Sequence, residues 1–332
     1  MKICVYGAGA IGGLMGLRLA QKGAEVSVVE VGPTLEAIQK HGLRAQTGGQ
    51  MVTAKVQATS DPATLGPQDV VIVAVKGPAL SYIAPKIGPL LGPDTVILTA
   101  MNGVPWWFFQ GFGGAYAGMQ LKSVDHDGTI AAGIPANRVI GCVVFMSCRS
   151  IEPGFVEHVS GNKLVIGEPN NSDSKRLHAL GTLLSDAGYE VNLSPSIQKE
   201  IWFKLLGNMT HNPVSAMTGA TVDRILNDPL VNDFCVKAMS EAARVGAKFG
   251  CAMTESCEAR NESARKLGAF KTSMLQDVEA KKGVELDALV GVVCEIAKKV
   301  GEPTPFIDAL FGLARLHARG LGLYPQDTGS KS

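Results

Sequence analysis

The sequence of 332 residues predicts an α/β domain over residues 1–194, followed by an all-α domain over residues 195–325. In the first part, short β-rich runs alternate with helical stretches, which is typical of a parallel sheet. From Ile197 to Ala318 the apolar residues recur at helical spacing and no convincing strand is found. The run Ser194-Pro195-Ser196 separates the two patterns. Residues 326–332 are polar, and we expect them to form a disordered tail.

The elements of the α/β domain follow from local patterns. The continuous apolar run 69–75 is typical of a parallel strand that is buried on both faces, and Gly48-Gly49 marks a turn within a strand pair. We expect strands at 2–6, 25–29, 69–75, 95–100, 138–146, 154–159, 163–166 and 189–193, a strand pair within 43–56, and helices at 14–22, 34–41, 79–90 and 174–187.

Composition excludes several classes of protein. The net charge is +1 and no long basic run is present, which disfavours a nucleic-acid partner. The seven cysteines lack C-x-x-C spacing, so we expect buried thiols in a reducing compartment, with neither a disulfide framework nor a metal site. The longest apolar runs are far shorter than the ~20 residues of a membrane-spanning helix, and the first strand leaves no room for a signal peptide. We therefore expect a soluble cytoplasmic protein.

A glycine-rich turn lies between the first predicted strand and the first predicted helix. The run is Gly7-Ala8-Gly9-Ala10-Ile11-Gly12. In a G-x-G-x-x-G turn of this kind, the first glycine permits the turn, the second admits a pyrophosphate and the third lets helix and strand pack closely. The helix N-terminus adds free N–H groups and a partial positive charge. This context predicts a Rossmann-type NAD(P)-binding domain, and the alternative is an ordinary glycine-rich βα turn.

Three polar side chains share one face of the helix that opens the second domain. Lys204, Asn208 and Asn212 are spaced at i, i+4 and i+8, which stacks them along the helix. A lysine and two amides suit a carbonyl substrate, because the lysine can donate a proton and the amides hydrogen bonds. The alternative is a solvated helix face.

Four further polar residues are candidates for a site. Lys76 and Asn102 follow predicted parallel strands, at the sheet edge where ligands bind in doubly wound folds, although Asn102-Gly103 is also an ordinary turn sequence. Ser273 precedes a helical turn and Glu285 begins the amphipathic run 284–296. Taken alone, Ser273 fits a helix N-cap and Glu285 a residue that complements the helix dipole.

Together these motifs resemble the ketopantoate reductase (2-dehydropantoate 2-reductase) family over roughly residues 1–318. The resemblance implies a Rossmann domain followed by a helical domain. It also implies NADPH-dependent reduction of a 2-keto acid to pantoate, a step toward pantothenate and coenzyme A. Its motifs are the glycine turn, Val75-Lys76, Asn102-Gly103, Lys204-x3-Asn208-x3-Asn212-Pro213, and Ser273-Met274-Leu275-Gln276-Asp277 with Glu285 downstream.

The resemblance also implies roles for individual residues. Lys204 is the implied general acid, and Glu285 lies near cofactor and substrate, where it orients or tunes the lysine. Asn208 and Asn212 hold polar groups of the substrate, and Ser273 holds its carboxylate. Asn102 contacts the nicotinamide side of the cofactor and Lys76 its adenosine side.

The end of the second strand departs from the family pattern. Many members carry an arginine there that receives the 2′-phosphate of NADP, whereas this chain has Glu30 and Val31. A carboxylate at this place is typical of NAD enzymes, where it binds the ribose hydroxyl. NADPH would then need Lys40, Arg44 or Lys76 as a source of positive charge. NADP and NAD both stay open as the cofactor.

Two other departures concern the substrate. The run Val104-Pro105-Trp106-Trp107-Phe108-Phe109 either narrows the nicotinamide pocket or packs as a helix into a core. The stretch 218–222 lacks the further substrate-binding asparagine of the family, which weakens the preference for ketopantoate. One alternative is therefore an NAD-dependent D-2-hydroxy acid dehydrogenase of the mandelate type. The other is a non-catalytic dinucleotide-sensing module. We also expect a homodimer formed through the helical domain.

Overall fold

The structure, a computed structural model, describes residues 1–266 and 268–326. Its two compact units are an N-terminal unit (Met1–Phe112, Ala117–Gln120 and Asp127–Glu200) and a C-terminal unit (Gly113–Tyr116, Leu121–His126 and the described residues from Ile201 onward). The domain boundary at 194 stays a prediction. The N-terminal unit itself extends to Glu200, because the buried Ile197 packs beside Gly141 and Gly167. Residues 327–332 of the predicted tail lie outside the described residues.

The N-terminal unit is built on one mixed sheet with helices against it. Its elements are β1 (Lys2–Tyr6), α1 (Ala10–Gln21), β2 (Glu25–Val29), α2 (Gly32–His41), β3 (Leu43–Thr47), β4 (Gln50–Ala54), β5 (Gln57–Thr59), β6 (Gln68–Val73), α3 (Gly77–Ile83), β7 (Leu91–Ala100), α4 (Thr129–Gly133), β8 (Val139–Glu152), β9 (Phe155–Gly167), α5 (Lys175–Asp186) and β10 (Glu190–Leu193). The strand order is β4-β3-β9-β8-β7-β6-β1-β2-β5, and β10 also pairs with β9.

The strand pairing confirms the predicted parallel α/β fold. Strands β5, β2, β1, β6, β7 and β8 pair in parallel, whereas β9 returns antiparallel to β8. Strand β3 then joins β9 in parallel and carries β4 as an antiparallel neighbour. Helix α1 contacts β1, β2, β3 and β9, so the sheet curls around this helix. The main core lies between them and includes Val5, Leu14, Leu17, Leu43 and Val156.

In two regions the observed elements differ from the predicted ones. The predicted strands at 138–146, 154–159 and 163–166 form one long hairpin, in which β8 extends to Glu152 and β9 is a single strand from Phe155 to Gly167, with register shifts along the pair. The predicted helix at 79–90 ends after Ile83 and continues as two short 3₁₀ turns. Pro85 and Pro89 explain this break, because proline lacks the N–H that an α-helix requires.

The described part of the C-terminal unit is helical, as predicted. Its elements are α6 (Ile197–Thr218, which starts in the N-terminal unit), α7 (Val222–Asn227), α8 (Pro229–Lys248), α9 (Cys257–Arg265), α10 (Ser273–Glu279), a π-helical segment (Asp287–Gly291), α11 (Val292–Val300) and α12 (Pro305–Gly320). Within residues 1–266 and 268–326, no helix combines the length and the apolar character that crossing a membrane requires.

One carboxylate fixes the segment Leu121–His126 within the C-terminal unit. Glu295 of α11 accepts hydrogen bonds from the backbone N–H groups of Lys122 and Ser123, at 2.9 and 2.8 Å, and from the Ser123 hydroxyl at 2.7 Å. Burial acts to raise the pKa of Glu295, but these hydrogen bonds outweigh it and lower the pKa. The carboxylate is therefore held in its charged form, with Lys299 at 3.3 Å.

Candidate active site

The glycine turn has the geometry that its sequence predicts. Gly7 has a φ of +93°, and a Cβ at this position would lie 2.6 Å from Val75 Cγ1. A Cβ at Gly12 would overlap the carbonyl oxygen of Gly7 and lie 2.9 Å from the Ala74 Cβ. Around Gly9, by contrast, a Cβ would meet no described atom within 4 Å. The turn is therefore closed at its first and third glycines and open at its second, as a pyrophosphate requires.

Glu30 is hydrogen-bonded to the glycine turn. Its Oε2 accepts a hydrogen bond from the backbone N–H of Ala8 at 2.7 Å, and its Oε1 accepts one from Val31 N–H at 3.0 Å. The Val31 side chain itself is 59% exposed. Burial above all, followed by the titratable groups of Cys4, Tyr82, Asp61 and Glu30, raises the pKa of Tyr6 to about 12.

Lys76 and Asn102 lie at the same edge of the sheet as the glycine turn. Strands β7, β6 and β1 are parallel neighbours, so their carboxyl ends are adjacent. Lys76 is exposed and is the N-cap residue of α3, and the half-buried Asn102 follows β7. The structure thus places Gly7–Gly12, Glu30, Lys76 and Asn102 on one edge of the N-terminal unit.

Arg44 is engaged elsewhere. Its guanidinium forms an ion pair with Glu152 at 3.0 Å, donates to the Pro153 carbonyl at 3.2 Å and lies over the Phe155 ring. These contacts hold the arginine on β3 beside β9, which is separated in the sheet from the end of β2. Arg44 therefore does not supply the positive charge that a 2′-phosphate would need at Glu30.

The aromatic run after Asn102 belongs to the core of the N-terminal unit. The side chains of Trp106, Trp107, Phe108 and Phe109 are at most 4% exposed. Trp106 Nε1 donates to the Ile134 carbonyl at 3.2 Å, and the Phe108 and Phe109 rings meet edge to face at 5.0 Å between centroids. The run folds as turns rather than the expected helix, because glycines at 103 and 111 adopt positive φ on either side. It packs as a core and does not narrow a pocket.

In the C-terminal unit, the polar row on α6 approaches Ser273. Lys204 and Asn208 are half-buried, and Asn212 is only 5% exposed. The Asn212 amide donates to the Ser273 hydroxyl at 3.4 Å. A simple solvated face is therefore wrong for the Asn212 end of the row. Ser273 is also not the N-cap of α10, because Thr272 takes that place and accepts the Leu275 N–H at 3.2 Å.

Glu285 lies immediately before a helical segment with unusual geometry. The segment begins at Leu286, and residues 287–291 continue it as a π-helix before α11. Glu285 is half-buried at the N-terminal side of this segment. A carboxylate at that end is stabilised by the helix dipole, and π-helical turns are frequent at functional sites.

A polar network that no sequence pattern predicts lies on the flank of α6. His211 Nε2 lies 3.2 Å from Asn261 Oδ1, and the Asn261 amide donates to Asn232 Oδ1 at 2.8 Å. Because Asn261 Oδ1 can only accept, Nε2 carries the imidazole proton. Burial lowers the pKa of His211 to about 4, so the ring is neutral at pH 7. Arg260 lies next to this network, over the Phe203 ring at 4.0 Å.

Family comparisons cover both parts of the chain. The model "Ketopantoate reductase PanE/ApbA" matches residues 3–171, and "Ketopantoate reductase PanE/ApbA C terminal" matches residues 196–318. The 2-dehydropantoate 2-reductase of Mesorhizobium japonicum is 40% identical over 325 residues, which is 98% of this chain and 100% of that protein.

Solved structures are similar over nearly the whole chain. One is the crystal structure of a protein from Ralstonia solanacearum MolK2 that is described as a ketopantoate reductase. It is 51% identical, with a TM-score of 0.94, and the match covers 97% of this chain and 99% of the Ralstonia chain. A D-mandelate dehydrogenase, solved with NADH and anilino(oxo)acetate, shares the fold at 24% identity and a TM-score of 0.83. The match covers 97% of this chain and 100% of the dehydrogenase chain. The chain belongs to the ketopantoate reductase family of NAD(P)-dependent oxidoreductases.

Proposed function

We propose that the protein reduces ketopantoate, or a 2-keto acid close to it, with Lys204 as the proton donor. The observation that carries the proposal is the row of Lys204, Asn208 and Asn212 on α6, with Ser273 hydrogen-bonded at its end. A binding module that only senses a dinucleotide has no use for a cation and two amides arranged in this way.

The chemistry of the row suits carbonyl reduction. A reduced dinucleotide would supply hydride to C2 of the keto acid, and negative charge would develop on the carbonyl oxygen. Lys204 Nζ gives this oxygen a proton, so the product is the 2-hydroxy acid. Asn208 and Asn212 donate hydrogen bonds to the substrate's oxygens, and Ser273 donates to its carboxylate. Glu285 orients or tunes the lysine.

The residues of the N-terminal unit fit a dinucleotide and favour NADH. The open approach at Gly9 admits the pyrophosphate. The Glu30 carboxylate, fixed against Ala8 N–H, suits the two hydroxyls of the adenosine ribose and repels a 2′-phosphate. Lys76 and Asn102 line the same edge and take the adenosine and nicotinamide sides. NADPH remains the cofactor that the family implies.

A mandelate-type D-2-hydroxy acid dehydrogenase is the second candidate. The D-mandelate dehydrogenase that shares this fold was solved with NADH, the cofactor that Glu30 favours. The stretch 218–222 also lacks an asparagine for a hydroxylated substrate tail. The buried aromatic run gives this candidate no further support, because Trp106 and Trp107 are enclosed in a core.

A second copy of the chain is the partner that we propose, through the exposed side of α12. On this side lie Ala309, Leu313, Leu316 and Gly320, which we name the α12 face. Leu313 and Leu316 are 61% and 69% exposed, an unusual arrangement for neighbouring leucines on a helix. We also propose a cytoplasmic location, since all seven cysteines are free and six are buried.

The first experiment measures initial rates with ketopantoate, using NADH and NADPH in parallel. We expect Lys204→Ala to lower kcat by about 100-fold or more, the lower range of general-acid contributions, and to keep dinucleotide binding. Lys199→Ala is the matched control, because Lys199 is an exposed lysine on the same helix. Normal turnover by Lys204→Ala would refute the assignment. Weak ketopantoate turnover alongside rapid D-mandelate oxidation would favour the second candidate.

A further inference from the structure

The chain after α12 turns back toward the segment that carries Glu285. The Leu323 N–H donates to the Ala318 carbonyl at 2.8 Å. The Gly322 N–H donates to the Arg319 carbonyl at 2.9 Å, so the two bonds form a Schellman motif at the end of the helix. Gly322 has the left-handed conformation that this motif needs, with a φ of +71°. The direction of the chain after α12 is therefore fixed locally.

Two hydrogen bonds from this returning chain meet the protein on either side of Glu285. Before it, the backbone N–H of Val284 donates to the Leu323 carbonyl at 3.1 Å. After it, the Tyr324 hydroxyl donates to Asp287 Oδ1 at 2.6 Å. We name residues Leu323 and Tyr324 the C-terminal clamp.

The tyrosine of the C-terminal clamp is itself anchored to α12. The Arg319 guanidinium lies over the Tyr324 ring, with 5.5 Å from Cζ to the ring centroid. Arg319 Nε donates to the Pro325 carbonyl at 2.9 Å, and the Gln326 amide donates to the Arg319 carbonyl at 3.0 Å. The ring is therefore held by contacts that do not involve its hydroxyl.

The segment that carries Glu285 has no regular structure of its own. Residues 280–285 form neither helix nor strand, and the next helical segment begins at Leu286. Each residue of such a segment has conformational freedom that contacts from other elements must restrict. Because the bonds from the C-terminal clamp reach positions 284 and 287, they restrict the backbone immediately around Glu285.

This segment packs beside the hydrogen-bonded end of the polar row. The residues before and after Glu285 are buried, and they line an apolar cavity together with Pro213 of α6 and Met274 of α10. In the sequence, these two residues directly follow the partners of the Asn212–Ser273 hydrogen bond. A shift of the segment would consequently move the Glu285 carboxylate relative to the row.

We propose that Tyr324 is a positioning residue, which holds Asp287 and thereby fixes the Glu285 carboxylate relative to Lys204. This inference rests on the proposed function, in which Glu285 orients or tunes the lysine. The Leu323 carbonyl holds the other side of the same segment. A small displacement of a group that orients the proton donor is sufficient to slow the chemical step.

The first test measures kcat and KM for ketopantoate in Tyr324→Phe, which removes the hydroxyl and keeps the ring beneath Arg319. We expect kcat to fall by about 10-fold, a moderate loss for a misplaced group, with KM little changed. Tyr82→Phe is the matched control, because Tyr82 is 62% exposed in the N-terminal unit, and its kcat should equal that of the wild-type protein. Thermal unfolding checks that each variant folds.

The second test repeats Tyr324→Phe in a protein that already carries Glu285→Ala. If the hydroxyl acts through the Glu285 carboxylate, its removal should lower kcat no further in this background. The same 10-fold loss in both backgrounds would show a general structural role and would overturn the inference.

Two variants at position 287 test the hydrogen bond itself. Asp287→Asn keeps an oxygen that accepts the Tyr324 hydroxyl, so its kcat should stay near that of the wild-type protein, whereas Asp287→Ala should resemble Tyr324→Phe. An equal loss in Asp287→Asn and Asp287→Ala would overturn the inference.

The same measurements separate the inference from the proposed function. If Glu285→Ala is slow while Tyr324→Phe has the kcat of the wild-type protein, the inference fails and the proposed function stands. If Glu285→Ala also has the kcat of the wild-type protein, the proposed role of Glu285 fails and the inference fails with it.

Discussion

The carboxylate of Glu30 accepts a hydrogen bond from the backbone N–H of Ala8, and 2.7 Å separate the two atoms. This bond ties the end of β2 to the glycine turn that follows β1, so the charge is fixed at the place that we propose for the adenosine ribose of a dinucleotide. A dianionic 2′-phosphate would meet a carboxylate that has little freedom to move away. On the proposed function, this contact between two neighbouring strands favours NADH over NADPH.

We predict that Glu30→Ala and Val31→Arg each raise the ratio of kcat/KM with NADPH to that with NADH. Removal of the acid ends the repulsion, and an arginine at the exposed position 31 adds an attractive charge. We expect a change of about 10-fold for each variant, the size of one charged contact. Steady-state rates with both cofactors give the ratio. An unaltered ratio in both variants would mean that this strand end does not contact the 2′ position.

We predict that alanine substitutions at Gly12 and Gly9 have different effects, the first on stability and the second on dinucleotide affinity. In Gly12→Ala the new Cβ overlaps the Gly7 carbonyl oxygen, so we expect a loss of about 1–3 kcal/mol in the free energy of unfolding. In Gly9→Ala the Cβ enters open space, so we expect folding to be kept and dinucleotide affinity to fall by about 10-fold. Urea unfolding and dinucleotide titration separate the two effects. The reverse pattern would contradict the geometry of the turn.

Much of the fold was predictable because its signals are local. The glycine turn, the apolar run 69–75 and the i, i+4 spacing on α6 each act within a few residues. The strand pair of β3 and β4 was predicted, but the pairing of β3 with β9 was not predictable, because β9 lies more than a hundred residues later in the chain. The proline breaks after Ile83 show that one residue type can outweigh a favourable apolar pattern.

The residues on the flank of the candidate site were also not predictable, because residues that are in contact there lie far apart in the sequence. Arg260 and Asn261 lie on α9, far along the chain from Lys204 and His211, and no spacing rule connects them. The aromatic run was a different case, because an apolar run after a candidate residue is compatible with either a core or a pocket wall. Only the packing of Trp107 beside Gly141 distinguishes these two roles.

The buried imidazole of His211 predicts a loss of stability in mild acid. Burial lowers its pKa from 6.5 to about 4 in the folded protein, so the unfolded chain binds a proton more readily between these values. Above pH 6.5 the imidazole does not reduce the free energy of unfolding, because it is neutral in both the folded and the unfolded chain. As the pH drops toward 4, the unfolded chain takes up the proton first and the free energy of unfolding falls. The shift corresponds to about 3 kcal/mol. The free energy of unfolding in urea at pH 7 and pH 5 measures this fall.

His211→Gln is the control for this pH dependence. Glutamine keeps a donor for Asn261 but does not titrate, so the variant should lose clearly less stability between pH 7 and pH 5 than the wild-type protein. A baseline cost of about 1 kcal/mol at pH 7 is expected from imperfect packing. Equal pH dependence in both proteins would show that other groups control acid unfolding.

The α12 face predicts a dimer, and two glutamates introduced on this face should dissociate it. Its residues recur at intervals of four, three and four, the spacing with which two helices pack against each other. Open space surrounds the Cβ positions of Gly312 and Gly320, so a partner helix can approach closely there. We expect a surface that carries both exposed leucines and such gaps to pack on a second copy of itself across a two-fold axis.

We expect the wild-type protein to sediment as a dimer at micromolar concentration and the double variant Leu313→Glu/Leu316→Glu to sediment as a monomer. Burial of a leucine contributes about 1.5–3 kcal/mol, and a buried glutamate without a partner reverses this gain. Met51→Glu is the matched control, because Met51 is 68% exposed on β4 in the N-terminal unit and should leave the dimer intact. A monomeric wild-type protein, or a double variant that stays dimeric, would remove α12 as the interface.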